Sequence, residues 1–247
     1  MPASAIHPML VIDAGNTSVK FATIARAGSL PRVVESVATP QLTAAKVRRI
    51  CRETKAQSAA ASSVVPRVTE ALRSGCPFIS LIGHATALSF PTLVDRRTVG
   101  ADRLANIAQA AHRFGRSVVV ADFGTAATFD LLDGRGRFVG GAIAPGLRVL
   151  ARSLTGEAAQ LPEADLAPPR RAAGRDTREA LRSGVAGGYA GLVRHLLRQL
   201  PARHVVFTGG DARLVAKLTG LKVVVDPLWT LKGIAVLADF AAREASK

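Results

Sequence analysis

Apolar and polar positions along the chain follow two periods, and the switches between them mark its elements. An apolar run at 9–12 ends in Asp13-Ala14-Gly15, and strand-like runs follow at 19–25 and 33–37 with turn residues between them. Residues 42–51 carry helical spacing. A strand is predicted at 59–65, stopped by Pro66, and a short helix at 68–73, whereas 83–99 shows no regular period. In the second half, Leu104, Ile107, Ala108 and Ala111 recur at three- and four-residue steps and predict a helix over 101–114. A strongly apolar strand at 117–121 runs into Asp122-Phe123-Gly124. Strands at 128–132 and 138–143 flank Asp133-Gly134, a hairpin turn signal. The 155–175 stretch is rich in Pro, Gly and charge and reads as a surface loop. Residues 177–199 read as a long helix weakened by four glycines, 205–207 and 223–225 as strands, and 231–240 as a closing helix. Clusters of strands followed by helices, twice over, predict a mixed α/β architecture with two similar lobes.

The lobes share a motif. Leu10-Val11-Ile12-Asp13-Ala14-Gly15-Asn16-Thr17-Ser18-Val19-Lys20-Phe21 has a counterpart in Val119-Val120-Ala121-Asp122-Phe123-Gly124-Thr125-Ala126-Ala127-Thr128-Phe129-Asp130. In each, an apolar strand ends in Asp-x-Gly, hydroxyl residues follow, and a second strand resumes. A repeat on that scale signals duplicated lobes rather than a solenoid. An Asp at a strand end can hold a hydrated cation in front of phosphates. Glycine lets the backbone turn tightly toward a ligand. Exposed N–H groups with Asn16, Thr17, Thr125 and Thr128 can then donate to phosphate oxygens, and Lys20 adds a point charge. The phosphate-loop, dinucleotide-fold and protein-kinase signatures are absent from the sequence.

Composition narrows the field. Of 247 residues, 48% are hydrophobic and 21% charged, which supports a sizeable core. Aromatics are 4%, so the core is expected to rest on Ala, Val, Leu and Ile. No apolar run reaches the roughly 18 residues of a membrane span, and residues 1–8 lack the pattern of a signal peptide. Cys51 and Cys76 form no metal or disulfide framework and read as reduced residues of a cytoplasmic protein. The net charge of +15 raises a nucleic-acid reading, but the Arg residues are dispersed without aromatic interleaving. A diffuse positive field also draws anions such as ATP. His7, His84, His112, His195 and His204 show no metal-ligand spacing.

Further candidates carry two readings each. Gly100-Ala101-Asp102-Arg103 is either a helix N-terminal turn, with Asp102 complementing the dipole, or a general base beside an anion-binding Arg. Gly140 to Gly146 is a loop into a helix or the wall of a nucleotide site. Thr208-Gly209-Gly210-Asp211 is a nucleotide contact or a helix cap.

Together these segments resemble the type III pantothenate kinases of the actin-like, ribonuclease H-like ATPase superfamily. Asp13 to Lys20 resembles the family's first phosphate motif, Ser62 to Pro66 its Ser-Val-Val-Pro strand end, and Gly100 to Arg103 its Gly-x-Asp-Arg motif. Asp122 to Thr128 resembles the second phosphate motif and Gly140 to Gly146 the Gly-Gly-x-Ile-x-Pro-Gly turn. Asp176-Thr177 with Ala180, Ser183 and Gly184 resembles the Asn-Thr-x-x-Ala-x-x-Ser-Gly helix start. The resemblance implies an α/β fold of two actin-like lobes, 1–115 and 116–247, with mixed sheets and an ATP cleft between them. It implies phosphorylation of pantothenate by a cytoplasmic homodimer, with Asp102 as general base. Gly100, Ala101, Asp102, Arg103 and Thr177 would contact pantothenate, as would Leu93, which stands where the family has Tyr. Asp13, Gly15, Asn16, Thr17, Lys20 and Thr125 would handle ATP with Mg²⁺, and Asp122 a potassium or ammonium ion. Two other readings keep the fold: a nucleotide-sensing paralogue acting as a transcriptional accessory factor, and a kinase of another small alcohol, sugar or carboxylate.

Overall fold

The computed structural model describes residues 8–158 and 160–247. The leader reading at residues 1–7, His7 included, lies outside the described residues. The chain divides into two compact units. The first runs to Gly115 and takes in Gly136–Phe138 and Leu228–Lys247, and the second holds Arg116–Arg135 and Val139–Pro227. Residues 228–247 follow the second lobe in chain order, but their packing is with the first.

The first unit is built on strands β1 (Met9–Ala14), β2 (Ser18–Ile24), β3 (Arg32–Ala38), β4 (Ser58–Ser63) and β5 (Ile79–Leu81) in the order β3-β2-β1-β4-β5. β1 pairs antiparallel with β2 and parallel with β4. One face of this sheet carries Leu10, Ile12, Ala14, Phe21, Ala59 and Ala61 against Val47, Ile50, Val68 and Leu72 of helices α1 (Ala44–Thr54) and α2 (Pro66–Gly75). The strand predicted to run to Pro66 ends earlier, at Ser63, and Pro66 instead starts α2, because proline lacks only an N–H that a helix's first turn leaves unpaired. β5 escapes the sequence reading: three residues on a sheet edge are too few to show a period.

The other face is covered by α3 (Ala101–Phe114) and the closing helix, here numbered last. The Trp229 indole Nε1 donates to the Asn106 carbonyl at 3.0 Å and Thr230 Oγ1 to Asn106 Oδ1 at 2.9 Å. A Cβ at Gly233 would run into the Ala105 backbone, so glycine sets how closely these helices approach.

The second unit repeats the plan with β6 (Val118–Phe123), β7 (Ala126–Leu132), β8 (Phe138–Pro145), β9 (His204–Thr208) and β10 (Val224–Val225) in the order β10-β9-β6-β7-β8. β6 pairs antiparallel with β7 and parallel with β9. Helix α4 (Leu147–Glu157) follows β8. The long helix predicted over 177–199 is present in three pieces: α5 (Thr177–Arg182), a π-helical stretch at Ser183–Gly187, and α6 (Gly188–Gln199). Its glycines fall in and beside the π segment. Helices α7 (Ala212–Thr219) and α8 (Trp229–Ala245) complete the order. As expected from the composition, the core is built mainly of Ala, Val, Leu and Ile. Phe123, Phe129 and Phe207 meet edge to face, with centroids 5.8 and 4.8 Å apart, so the few aromatics are concentrated inside.

Candidate functional site

In the first unit, β1 delivers Asp13 to the sheet's end. Gly15 N donates to the Ser18 carbonyl at 3.1 Å and closes a tight turn that leaves Asn16 and Thr17 exposed. Thr39, at the end of β3 and 4% exposed, holds that turn twice. Its Oγ1 donates to the Gly15 carbonyl at 2.7 Å and its N–H to the Thr17 carbonyl at 3.0 Å. Thr39 is a residue the sequence does not flag, because its pairing spans 24 residues of chain. Asp13 stands in register with Lys20 on β2 and with Ser62 on β4, so the three side chains form one polar row on one face.

Helix α3 begins beside this turn. The Val64 N–H donates to the Ala14 carbonyl at 3.2 Å, and a Cβ at Gly100 would lie 3.8 Å from the Val64 side chain. Gly100 is the N-cap and offers no side-chain bond. The Asp102 carboxylate instead accepts from the Arg103 N–H at 2.8 Å, folding back into space that a Cβ at Gly100 would occupy. Burial pushes the Asp102 pKa up, against the Arg103 N–H and guanidinium, which pull it down. Asp102 thus answers the helix's first turn, and its carboxylate holds a proton more tightly than that of an exposed Asp. Leu93 is 63% exposed on the 83–99 segment, its N–H donating to the Phe138 carbonyl at 2.9 Å.

In the second unit, Gly124 N donates to the Ala126 carbonyl at 3.0 Å, which leaves Thr125 at the tip of a shorter turn. The Thr125 carbonyl accepts from Gly146 N at 3.0 Å, and a Cβ at Gly146 would collide with the Gly124 carbonyl. Asp122 stands in register with Thr128 and Thr208. Gly209 has φ +89°, and a Cβ there would come within 2.5 Å of Asp122 Oδ1 and 2.6 Å of the Phe123 carbonyl, so only glycine lines this cradle. A carboxylate, two hydroxyls and a carbonyl form an oxygen-only donor set, which suits a hard cation. Asp211 is the N-cap residue of α7, as the helix-cap alternative has it, but its side chain makes no cap bond and instead accepts from Arg148 Nε at 2.9 Å. Its charge, added to burial, pushes the Tyr189 hydroxyl pKa up.

Thr177 opens α5. Its N-cap is Asp176, whose Oδ1 accepts from the Glu179 N–H at 2.8 Å, a role Asp and Asn fill equally. Thr177 lies on an apolar groove of about 640 Å³ lined by Leu150, Leu154, Leu161, Leu181 and Val185. The sequence-predicted residues thus gather at Asp13–Lys20 with Gly100–Arg103 in one unit and at Asp122–Thr125 in the other. Leu93 and Thr177 lie on other segments of theirs.

Comparison with known proteins places the chain among relatives. The sequence model of the family described as type III pantothenate kinase matches residues 9–199. A type III pantothenate kinase of Akkermansia muciniphila is 37% identical over 239 residues, covering 93% of this chain and 97% of the relative. One from Acidiphilium cryptum is 35% identical, covering 93% of each. Among solved structures, a conserved putative Baf family transcriptional activator from Campylobacter jejuni superposes with a TM-score of 0.66 at 22% identity, covering 95% of this chain and 99% of that one. The (R)-2-hydroxyglutaryl-CoA dehydratase component A of Acidaminococcus fermentans gives 0.56 at 15%, covering 97% and 99%. At those identities the structures speak for the two-lobed α/β fold alone. The sequence relatives match along nearly their whole length, and on that ground the chain belongs to the type III pantothenate kinase family.

Proposed function

We propose that this chain transfers the γ-phosphate of ATP to the 4′-hydroxyl of pantothenate, the step that opens coenzyme A biosynthesis. The observation that carries the reading is Asp102: a carboxylate folded back at a helix start, made more basic by burial, beside a turn suited to phosphates. Asp13, Gly15, Asn16, Thr17, Lys20 and Thr125 bind ATP. Gly100, Ala101, Arg103, Leu93 and Thr177 contact pantothenate. Asp102 aligns the hydroxyl and accepts its proton late, as the oxygen–phosphorus bond forms and ADP leaves. Asp13 and the Asp122 cradle would hold Mg²⁺ with ATP and a potassium or ammonium ion, respectively, and these ions supply positive charge for the phosphates.

Among the described residues no helix is long and apolar enough to cross a membrane. We assign the enzyme to the cytoplasm, with no nucleic-acid partner. We also assign it a homodimer that covers the Leu150–Leu154–Leu181 groove beside Thr177. Asp102→Asn tests the central assignment. The variant is expected to bind ATP as the parent does, by calorimetry, while pantothenate-dependent ADP release falls about 10²- to 10⁴-fold. Full turnover would remove Asp102 from the role of base.

A further inference from the structure

The duplication extends past the aspartate turns to a pair of hydroxyls. Ser62, next to last in β4, stands in parallel register with Asp13, and Thr208 ends β9 in parallel register with Asp122. Each stands four residues before a helix start, at Pro66 and Ala212. Paired residues on adjacent parallel strands project to one face with strands about 4.8 Å apart, so each hydroxyl stands beside its aspartate. In each unit, a backbone N–H two or three residues beyond the hydroxyl donates to the carbonyl that follows the aspartate. These are Val64 to Ala14 at 3.2 Å and Asp211 to Phe123 at 3.1 Å. The two loops are thus tied down in the same way.

Ser62 is 1% exposed and Thr208 0% exposed, and neither Oγ has a hydrogen-bond partner. Five buried side-chain atoms are in that state among the described residues, and two of them occupy this one position of the repeat. An enclosed hydroxyl without a partner forfeits hydrogen bonding that water would have supplied. That cost is hard to account for twice at the same place by packing alone, since Ala or Val would fill the space without it.

We propose that Ser62 and Thr208 are positioning residues for the bound state, each completing the oxygen cradle begun by its neighbouring aspartate. Thr208 Oγ1 joins the Asp122 carboxylate and the Phe123 carbonyl around the monovalent cation. Ser62 Oγ bonds the hydration shell of the ion-phosphate group that Asp13 faces. The inference rests on the ATP-binding reading above and extends it to two residues that act through the ions.

The test uses the full chain and two readouts independent of turnover: ATP binding by calorimetry in Mg²⁺, and potassium-dependent stabilisation of the ATP complex in thermal unfolding. Thr208→Val, having lost one oxygen ligand of the ion, is expected to raise the half-maximal potassium concentration about tenfold, and Ser62→Ala, having lost one hydrogen bond to the hydration shell, to weaken ATP binding about tenfold. Thr208→Ser keeps the hydroxyl and is expected to restore the parent response. Parent-like potassium and ATP responses in Thr208→Val and Ser62→Ala overturn the inference and leave the kinase reading intact. So does a Thr208→Ser response as poor as that of Thr208→Val. If Thr208→Val lowers the unfolding temperature of the free protein without moving the potassium midpoint, Thr208 is structural and the inference fails. Failure of the unaltered chain to bind ATP overturns the kinase reading and this inference together.

Discussion

The two aspartate turns share a scaffold and differ in charge. Asp13 has Lys20 opposite it on the neighbouring antiparallel strand, and Asp122 has Thr128 at the same place. The first turn closes from Gly15 to Ser18, and the second, one residue shorter, from Gly124 to Ala126. A tether holds each from the end of its third strand: the Thr39 hydroxyl and N–H in the first, the Gly146 N–H in the second. The difference teaches how a duplicated fold divides labour. Lys20 stands in the row beside Asp13 where the second turn has only the Thr128 hydroxyl beside Asp122, and that difference is the ground for the proposal that phosphates go to the first turn and a cation to the second. Asp102, the proposed base, belongs to the first unit, where α3 begins beside the Lys20-bearing turn.

The largest expected effect concerns Asp102. Its pKa is raised in the folded state, so the reactive carboxylate form is lost as pH falls through that raised value. The acid limb of kcat/KM is expected above the usual carboxylate range, read from ADP release against pH. The sign is opposite for stability. The folded state binds this proton more tightly than the unfolded chain, so the stabilisation is present at low pH and lost as pH rises through the folded pKa. Asp102→Asn is therefore expected to keep or raise the unfolding temperature at neutral pH, and a lowered temperature would count against a strained carboxylate.

The tethers come next. Gly146→Ala forces a methyl into the Gly124 carbonyl and is expected to cost about 1–3 kcal/mol in denaturant unfolding. Thr39→Ala removes one hydroxyl bond and is expected to cost about 1 kcal/mol. No measurable cost in either variant would mean that the two turns are held by something other than these tethers. The charge difference itself is broken by exchange. Lys20→Thr is expected to weaken ATP binding about tenfold in calorimetry. Thr128→Lys places an ammonium beside Asp122 and is expected to make ADP release indifferent to potassium. Retained potassium dependence in that variant would show that Asp122 is not the cation's ligand. The smallest effect is at the cap of α5: Asp176→Asn is expected to change stability by less than about 0.5 kcal/mol, measured by thermal unfolding.

The turns were legible in sequence because Asp-x-Gly after an apolar strand is a local signal, and Gly100–Arg103 because its helix shows clear periodicity from residue 101. The second half of the repeat was not. Ser62-Ser63-Val64-Val65 and Thr208-Gly209-Gly210-Asp211 share only a leading hydroxyl, and strand pairing alone makes them equivalent. Thr39 was hidden for the same reason. Its hydroxyl reaches Gly15 only because β3 runs back antiparallel along β2. Helix α4 was legible only as whatever follows Gly146. The loop predicted from residue 155 overlaps its last turn, where Gly156 weakens the helical signal.

The central claim is that this chain phosphorylates pantothenate from ATP with a cation bound at the second turn. ADP release by the unaltered chain tests it most directly, with and without pantothenate, in potassium against sodium buffer. The account predicts release that requires pantothenate and is faster in potassium. Release that ignores pantothenate, or none in either buffer, would contradict it.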